Sequence, residues 1–409
     1  MIRMMGRIIY FIGGLLVTGM VSAQQLETYI QEAEDNNPEI QAFERKYDIA
    51  MEKVKEVNFL PNTDVSAGYF VSEPETRTGA QKLRLSLKQM LPWFGTITAR
   101  ENYMGSLADA QYEDLVIAKR RLRLSVSQSY YRLYAIKAKQ RVLDENIALL
   151  ETYERLALTS VEVGKASAVD VLRLQIRQHE LEQRKDVLEQ DYLAEQTLFN
   201  NLLNRDETLD VIVYDALLVP EEDPVLERDG LDVHPELMKY DKLYESIDKS
   251  ELLNQKESSP NLGIGLDYVS VAERPDMDFT DNGKDILMPM VSLSIPIFNN
   301  RYKSISRQNK LKQQEVIALK NERRNTLETM LEKALKNRES SKISFRTQAK
   351  NIDKAKNGEE ILIKSYETGK MDFNDVLDIQ ELQLKFQVNQ IESIKNYFLE
   401  SITINYLTQ

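Results

Sequence analysis

Gly164-Lys165-Ala166-Ser167-Ala168-Val169-Asp170-Val171-Leu172-Arg173-Leu174-Gln175 decides the reading of this chain. The phrase returns 205 positions later as Gly369-Lys370-Met371-Asp372-Phe373-Asn374-Asp375-Val376-Leu377-Asp378-Ile379-Gln380. Glycine, lysine, aspartate, valine, leucine and glutamine recur at identical spacing, and Ile379 answers Leu174. Other fragments repeat in the same order. Asn37-Pro38-Glu39-Ile40 is answered by His234-Pro235-Glu236-Leu237. The alternating run Leu83 to Leu87, leading to Pro92-Trp93-Phe94, is answered by Val291 to Ile295, leading to Pro296-Ile297-Phe298. A period this long does not suit a stacked solenoid and indicates a duplicated half.

Working outward from the two turns, each half follows one plan: a short helix, a strand pair, a very long helix, a tight turn and a second long helix. The first repeat is expected over 24–204 and the second over 234–409, joined by an irregular, acid- and proline-bearing linker at 205–233. Pro38 to about Phe59 has helical spacing and stops at Leu60-Pro61-Asn62, where proline removes a donor and restricts its predecessor. Residues 62–91 read as a strand pair around a polar loop at 72–81, and residues 261–296 repeat it. In these runs Val65, Leu85, Leu87, Ile264, Leu266 and Val291 alternate with Ser, Asp, Lys, Arg and Gly.

The expected hairpins of long helices span 96–204 and 301–406. Some 60 residues of helix make a rod on the order of 90 Å. No single globular core is that thick, so the rod must lie along partner helices as a coiled coil. Each returning helix plus the short helix of its half matches the long helix in length. The fold class expected is therefore mainly α with a small β part.

Bulk properties narrow the function. Residues 1–23 read as a cleaved secretory signal, with Arg3 and Arg7 before an apolar run and Val21-Ser22-Ala23 as the cleavage site. The chain has no cysteine, so no disulfide, thiolate metal site or cysteine lipid anchor. Removing the leader takes two arginines and no acids, moving the formal charge from −12 to −14. That balance argues against nucleic acid as a partner. No later stretch reaches the roughly 20 apolar residues of a spanning helix. A membrane crossing would have to be made of strands. Runs of about 8 to 11 residues suit tilted membrane strands, and they suit a small sheet on a soluble domain equally. Tyr69, Trp93, Phe94, Tyr268 and Phe298 stand at or near strand ends, where interfacial aromatics would fall. Met288 and Met290 are expected to face lipid or pack.

The leader, the two halves, the strand pairs between short and long helices, the paired Gly-Lys-x4-Asp-Val-Leu-x-x-Gln turns and Leu91-Pro92-Trp93-Phe94-Gly95 resemble the TolC family of outer-membrane efflux proteins. The resemblance covers nearly the whole chain after the leader. It implies an outer-membrane protein with a large periplasmic part in a Gram-negative cell. A homotrimer would combine a coiled-coil α-barrel with a 12-stranded transmembrane barrel, four strands coming from each chain. It also implies a periplasmic adaptor and an inner-membrane pump as partners, docked near the turns Gly164-Lys165 and Gly369-Lys370. Cargoes of such ducts include drugs, metal ions and polypeptides.

The resemblance further implies that Asp375 and Asp378 ring a periplasmic aperture, with Asp170 at the matching position of the first half and Tyr366 helping to hold a closed state. Met371 stands where the family's best-known latch has an arginine, which removes the expected partner of Asp170 and leaves Lys165 or Lys370 to substitute. From the residues alone, Asp170 and Asp375 are equally N-terminal helix caps, and Asp378 a solvated acid. Catalysis has little support. His179 and His234 fall in different elements without metal-ligand spacing, and no cofactor site is expected. The two readings carried forward are a passive outer-membrane exit duct and, in a different class, a soluble periplasmic coiled-coil scaffold or adaptor.

Overall fold

The computed structural model describes residues 25–164, 167–224, 228–276, 278–368, 371 and 373–409, so the expected leader lies outside it. The chain forms two compact units, each assembled from distant segments. One comprises Glu44–Leu115 and Pro235–Arg323; the other takes in the chain up to Phe43, Val116–His234 and Arg324–Gln409.

The first unit is organised by an antiparallel sheet. Its strands are β1 (Thr63–Tyr69), β2 (Glu75–Thr76), β3 (Gly79–Leu91), β4 (Asn261–Val271) and β5 (Ile286–Ser294), in the order β1-β3-β4-β5, with β2 added to β3. The register carries the sequence alternation across both halves. Val65, Leu87, Leu266 and Pro289 form one row, and Ala67, Leu85, Tyr268 and Leu287 the next on the same face. The opposite face holds Ser66, Ser86, Asp267 and Met288 in one row, with Arg84 ion-paired to Asp267. Met288 and Met290 therefore share the polar face with Asp267. Of their two expected roles, facing lipid or packing, the strict period of two in β5 favours packing.

The apolar face is uncovered within the chain, with Val65 76% and Val291 77% exposed. Thr63, Leu91, Asn261 and Ser294 all lie at one end of the ladder. At the other end the hairpin tips are fastened to each other. Arg274 donates to Glu75 (2.7 Å) and to the Thr76 carbonyl (2.5 Å), and the Gly283 amide donates to the Thr78 carbonyl (2.8 Å). This extends β3 into the expected polar loop. Gly79 makes the extension feasible. Its φ is +132°, and a Cβ there would sit 1.8 Å from the Ala272 carbonyl oxygen.

The second unit is helical, and the first also contains helix, at 44–56, 96–115, 235–257 and 301–323. After a helix at residues 25–36, taken here as α1, the chain continues into α2 (Pro38–Glu56), capped by the Asn37 side chain, which accepts from the Glu39 amide at 2.9 Å. The long helices are α3 (Thr96–Glu162) and α6 (Arg301–Glu367), of 67 residues each. The returning helices are α4 (Ala168–Leu202), of 35 residues, and α7 (Phe373–Thr408), of 36. Between α4 and α7 in sequence lie a 3-10 turn at Arg228–Val233 and α5 (Pro235–Glu257). Helix α1 has no counterpart in the sequence reading, and its anchors are the buried Ile30 and Ala33. A single stripe runs along α3 through Val126, Tyr130, Leu133, Leu143, Leu150 and Ala157, all essentially buried. Among the described residues no helix is long and apolar enough to cross a membrane.

Residues 205–224 carry neither helix nor strand, so their backbone groups need side-chain partners. The helices supply them. Tyr130 and Tyr134 hydroxyls accept from the amides of Tyr214 (3.1 Å) and Leu217 (3.2 Å), while Gln196 and Asn200 donate to the Leu209 carbonyl (2.9 and 2.8 Å). At the far end Asp223 accepts from Tyr397 (2.8 Å) and Lys342 (3.1 Å) and lies 3.4 Å from Arg338. Burial pushes the Asp223 carboxyl up, but those hydrogen bonds and the two cations outweigh it and hold it below its ordinary value.

Asp223→Ala leaves Lys342 and Arg338 close to buried without their anion. It should destabilise the unit by on the order of 3 kcal/mol and admit protease into 205–224, read by thermal unfolding and limited proteolysis. Because the folded pKa is depressed, the contribution of Asp223 is present above the unfolded carboxylate value. It disappears only as pH falls below about 4. Unchanged proteolysis in the variant would show that the strap is held elsewhere.

Candidate functional site at the hairpin turns

The repeated phrase lies where each pair of long helices turns back. In the first turn α3 ends at Glu162, and Gly164 adopts φ +73° with its amide donating to the Val161 carbonyl (3.0 Å). That is the left-handed cap glycine permits. Lys165 lies outside the described residues. Ser167 then caps α4. Its hydroxyl accepts from the Val169 amide (3.2 Å), and Asp170 reaches back to the Ser167 amide (3.4 Å), a reciprocal capping box. Asp170 is buried, with Arg173 of its own helix 3.8 Å away.

At the second turn Gly369 and Lys370 lie outside the described residues. Tyr366, at the end of α6, is buried against Phe373 with ring centroids 4.8 Å apart, and Tyr153 of α3 meets the same ring at 5.8 Å. Met371 is exposed, whereas Phe373 and Val376 are buried at the start of α7. Asp375 and Asp378 fall on the opposite, solvent-exposed face. Their i, i+3 spacing aligns the two carboxylates.

The cluster beneath the turns joins the two hairpins through buried polar pairs that the sequence reading missed. The Tyr153 hydroxyl donates to Glu359 at 2.7 Å, and Gln380 donates to Asn146 at 2.8 Å, with Gln387 accepting from Asn146 at 3.1 Å. Nearer the turns, Arg173 donates to Asn374 at 2.5 Å, and Arg177 lies 3.4 Å from Glu381. Around these pairs pack Leu143, Leu150, Leu174, Leu181, Val376 and Leu384. Burial, followed by the hydrogen bond and charge of Glu359, pushes the Tyr153 phenol up.

The period of 205 exposes a broken symmetry here. Glu154 and Glu359 are counterparts, as are Gln175 and Gln380. In the first hairpin Gln175 and Gln178 donate to Glu154 (2.7 and 3.0 Å) and hold its carboxyl below its ordinary value. In the second, Gln380 turns instead to Asn146 of the other hairpin. The glutamine was legible in the phrase; its partner was not.

The remaining sites stand apart from the turns. Phe94 and Phe298 are exposed, 78% and 100%, and Trp93 packs edge-on to Phe94 at 5.8 Å at the helix-bearing end of the sheet. Tyr69 and Tyr268 lie toward the opposite end. His179 is exposed on α4, and His234 is buried edge-on to Tyr406 at 5.3 Å.

Residues 29–204 match the family of outer membrane efflux proteins. No curated protein matches the chain. Among solved structures it is similar to CusC, described with transmembrane channel formation, at 14% identity over 94% of this chain and 92% of that one, with a TM-score of 0.76. VceC, an outer membrane protein of Vibrio cholerae, is similar at 15% identity over 94% and 96%, TM-score 0.74. The outer membrane channel CmeC of Campylobacter jejuni is similar at 16% identity over 94% and 85%, TM-score 0.73. At such identities the likeness is one of fold. The family match covers residues 29–204, whereas the likeness of fold to these structures extends over nearly the whole chain.

Tyr153→Phe removes a donor from the buried Glu359 carboxylate. It should cost about 1–3 kcal/mol, seen as a lower Tm, whereas Glu359→Gln, which keeps an acceptor for Tyr153, should cost less. Equal stability of all three proteins would mean that water replaces the hydroxyl and that the pair does not join the hairpins.

Proposed function

We propose that three copies of this chain close a 12-stranded barrel in the outer membrane, continued on the periplasmic side by an α-barrel of long helices, and that cargo passes through passively. One observation carries the reading: a four-stranded antiparallel path with free edges at β1 and β5, one uncovered apolar face and one polar face. In lipid, unpaired edges are too costly to leave open, and joining β5 of one copy to β1 of the next removes them. Trp93, Phe94 and Phe298 at one end, with Tyr69 and Tyr268 toward the other, form the two interfacial bands. The leader over 1–23 directs export.

The turns Gly164-Lys165 and Gly369-Lys370 receive a periplasmic adaptor, and an inner-membrane pump supplies the energy. Asp375 and Asp378 of three copies stack two rings of three carboxylates at the aperture and favour cations. Asp170 and Tyr366 belong to the closed state, Asp170 as a cap held by Arg173. Arg173 also spans to Asn374, so it takes the latch role that Met371 cannot fill.

Purification from membranes in mild detergent should yield a particle of three chains that gives ion-conducting events in a planar bilayer. A water-soluble monomer without conductance would end the duct reading. In the same bilayer, the double variant Asp375→Ala/Asp378→Ala should lose cation selectivity, and Arg173→Ala should open more often. Unaltered single-channel behaviour in both would remove these residues from the gate.

A further inference from the structure

The two long helices begin very differently. The first twenty residues of α3 carry Glu101, Asp109, Glu113 and Asp114, and their one base, Arg100, is bound to Glu257 at 3.1 Å. Residues 301–314 of α6 carry Arg301, Lys303, Arg307, Lys310 and Lys312 and no acid at all. All five bases are exposed, and none pairs with a described acid. The helix turns its other side to α5, where Ser306 and Asn309 donate to Glu251 (2.7 and 2.9 Å) and Asn254 donates to the Tyr302 carbonyl (3.0 Å). Lys303, Arg307 and Lys310 stack as one stripe at i, i+4, i+7, and Arg301 and Lys312 stand on the opposite flank.

The position of this patch matters as much as its charge. It starts seven residues after β5 ends at Ser294, and the intervening segment exposes Ile295, Ile297 and Phe298, at 52%, 70% and 100%. An uncovered apolar wedge thus leads directly into an unneutralised basic helix. Beyond Lys312 the excess vanishes, since Glu315, Glu322, Glu328 and Glu332 alternate with Lys320, Arg323, Arg324 and Lys333. Bases serving a charged cargo would continue down the helix. Bases serving a membrane surface would be confined to the first turns, because that potential decays within a Debye length of about 8–10 Å.

We propose that residues 295–312 form a lipid-binding surface, in which Phe298 and its aliphatic neighbours enter the acyl boundary and the α6 bases engage anionic phospholipid headgroups of the leaflet on the helix side. The surface rests on the reading that the sheet spans the membrane. It adds a lipid specificity that the reading does not require.

Trp93, the only tryptophan, lies at the same end of the sheet and reports on the lipid around it. The full chain, reconstituted in phosphatidylcholine vesicles, would be titrated with brominated phosphatidylglycerol or brominated phosphatidylcholine while Trp93 quenching is followed. We expect the anionic lipid to quench at least about fivefold more effectively, the equivalent of about 1 kcal/mol for one base near the surface. The triple variant K303Q/R307Q/K310Q should bring that ratio toward one with conductance unchanged, and high salt should do the same. Equal quenching by the two lipids in the unaltered protein overturns the proposal. So does a variant that keeps the preference, or one that changes ion selectivity alone, which would put the bases in the duct. Absence of quenching by either lipid would instead defeat the membrane-spanning reading beneath it.

Discussion

A 67-residue helix has a stripe about 100 Å long to bury, and that length is the constraint on which the rest of the molecule depends. Helices of 35 and 36 residues cover only part of it. Along α3 the stripe changes its covering as it goes. Leu143, Leu150 and Ala157 pack among α4, α6 and α7 residues, whereas Tyr134, Ala135 and Ala138 pack against Val213, Tyr214 and Leu217 of the irregular connection. The connection is thus part of the core's wall. Tyrosines suit that stretch because their rings fill volume while their hydroxyls accept the amides that a non-regular backbone leaves over.

The sheet obeys the complementary constraint. Its ladder satisfies backbone groups between neighbours, but the chain supplies only enough strand for an open ribbon with an exposed apolar face. In water such a face is an aggregation liability. In a membrane it is the required lining, provided the edges close. The fastened hairpin tips at one end and the aromatic-rich helix junctions at the other fix the strand register, so each apolar residue stays on the uncovered face.

At the turns, apolar packing and polar pairing have separate jobs. Phe373, Tyr366 and Tyr153 form the aromatic seal, and any loosely hydrophobic set could fill that volume. The pairs Tyr153–Glu359, Gln380–Asn146 and Arg173–Asn374 are directional, and each joins one hairpin to the other. Arg173–Asn374 is exposed, whereas the other two are buried; buried pairs add little net stability when intact, yet breaking one leaves a desolvated group behind. They therefore favour one relative placement of the hairpins over its neighbours.

Much of this was legible in residues alone. The 205-residue echo, the proline stops at Pro61 and Pro296, the turn glycine Gly164 and the alternation through Leu83–Leu87 are local signals. They act through backbone sterics and periodicity and need no distant partner. They suffice for the order of helices and strands. Helix α1 escaped because Ile30 and Ala33 reveal their burial only against residues far along the chain. The partners of Asp170, Gln380 and Glu359 escaped for the same reason. A side chain's type says that it needs a hydrogen bond, and only the packing of α3 against α6 and α7 decides where it finds one. Met288 and Met290 make a similar point: their composition allowed lipid or packing, and the β4–β5 register set Met288 opposite Asp267 and Met290 opposite Gly265. The sequence by itself determined the elements and their faces, because those depend on neighbours within a few residues. Only the tertiary structure decided which faces meet and which polar groups join the hairpins, because those contacts close loops of up to 241 residues that no local pattern encodes.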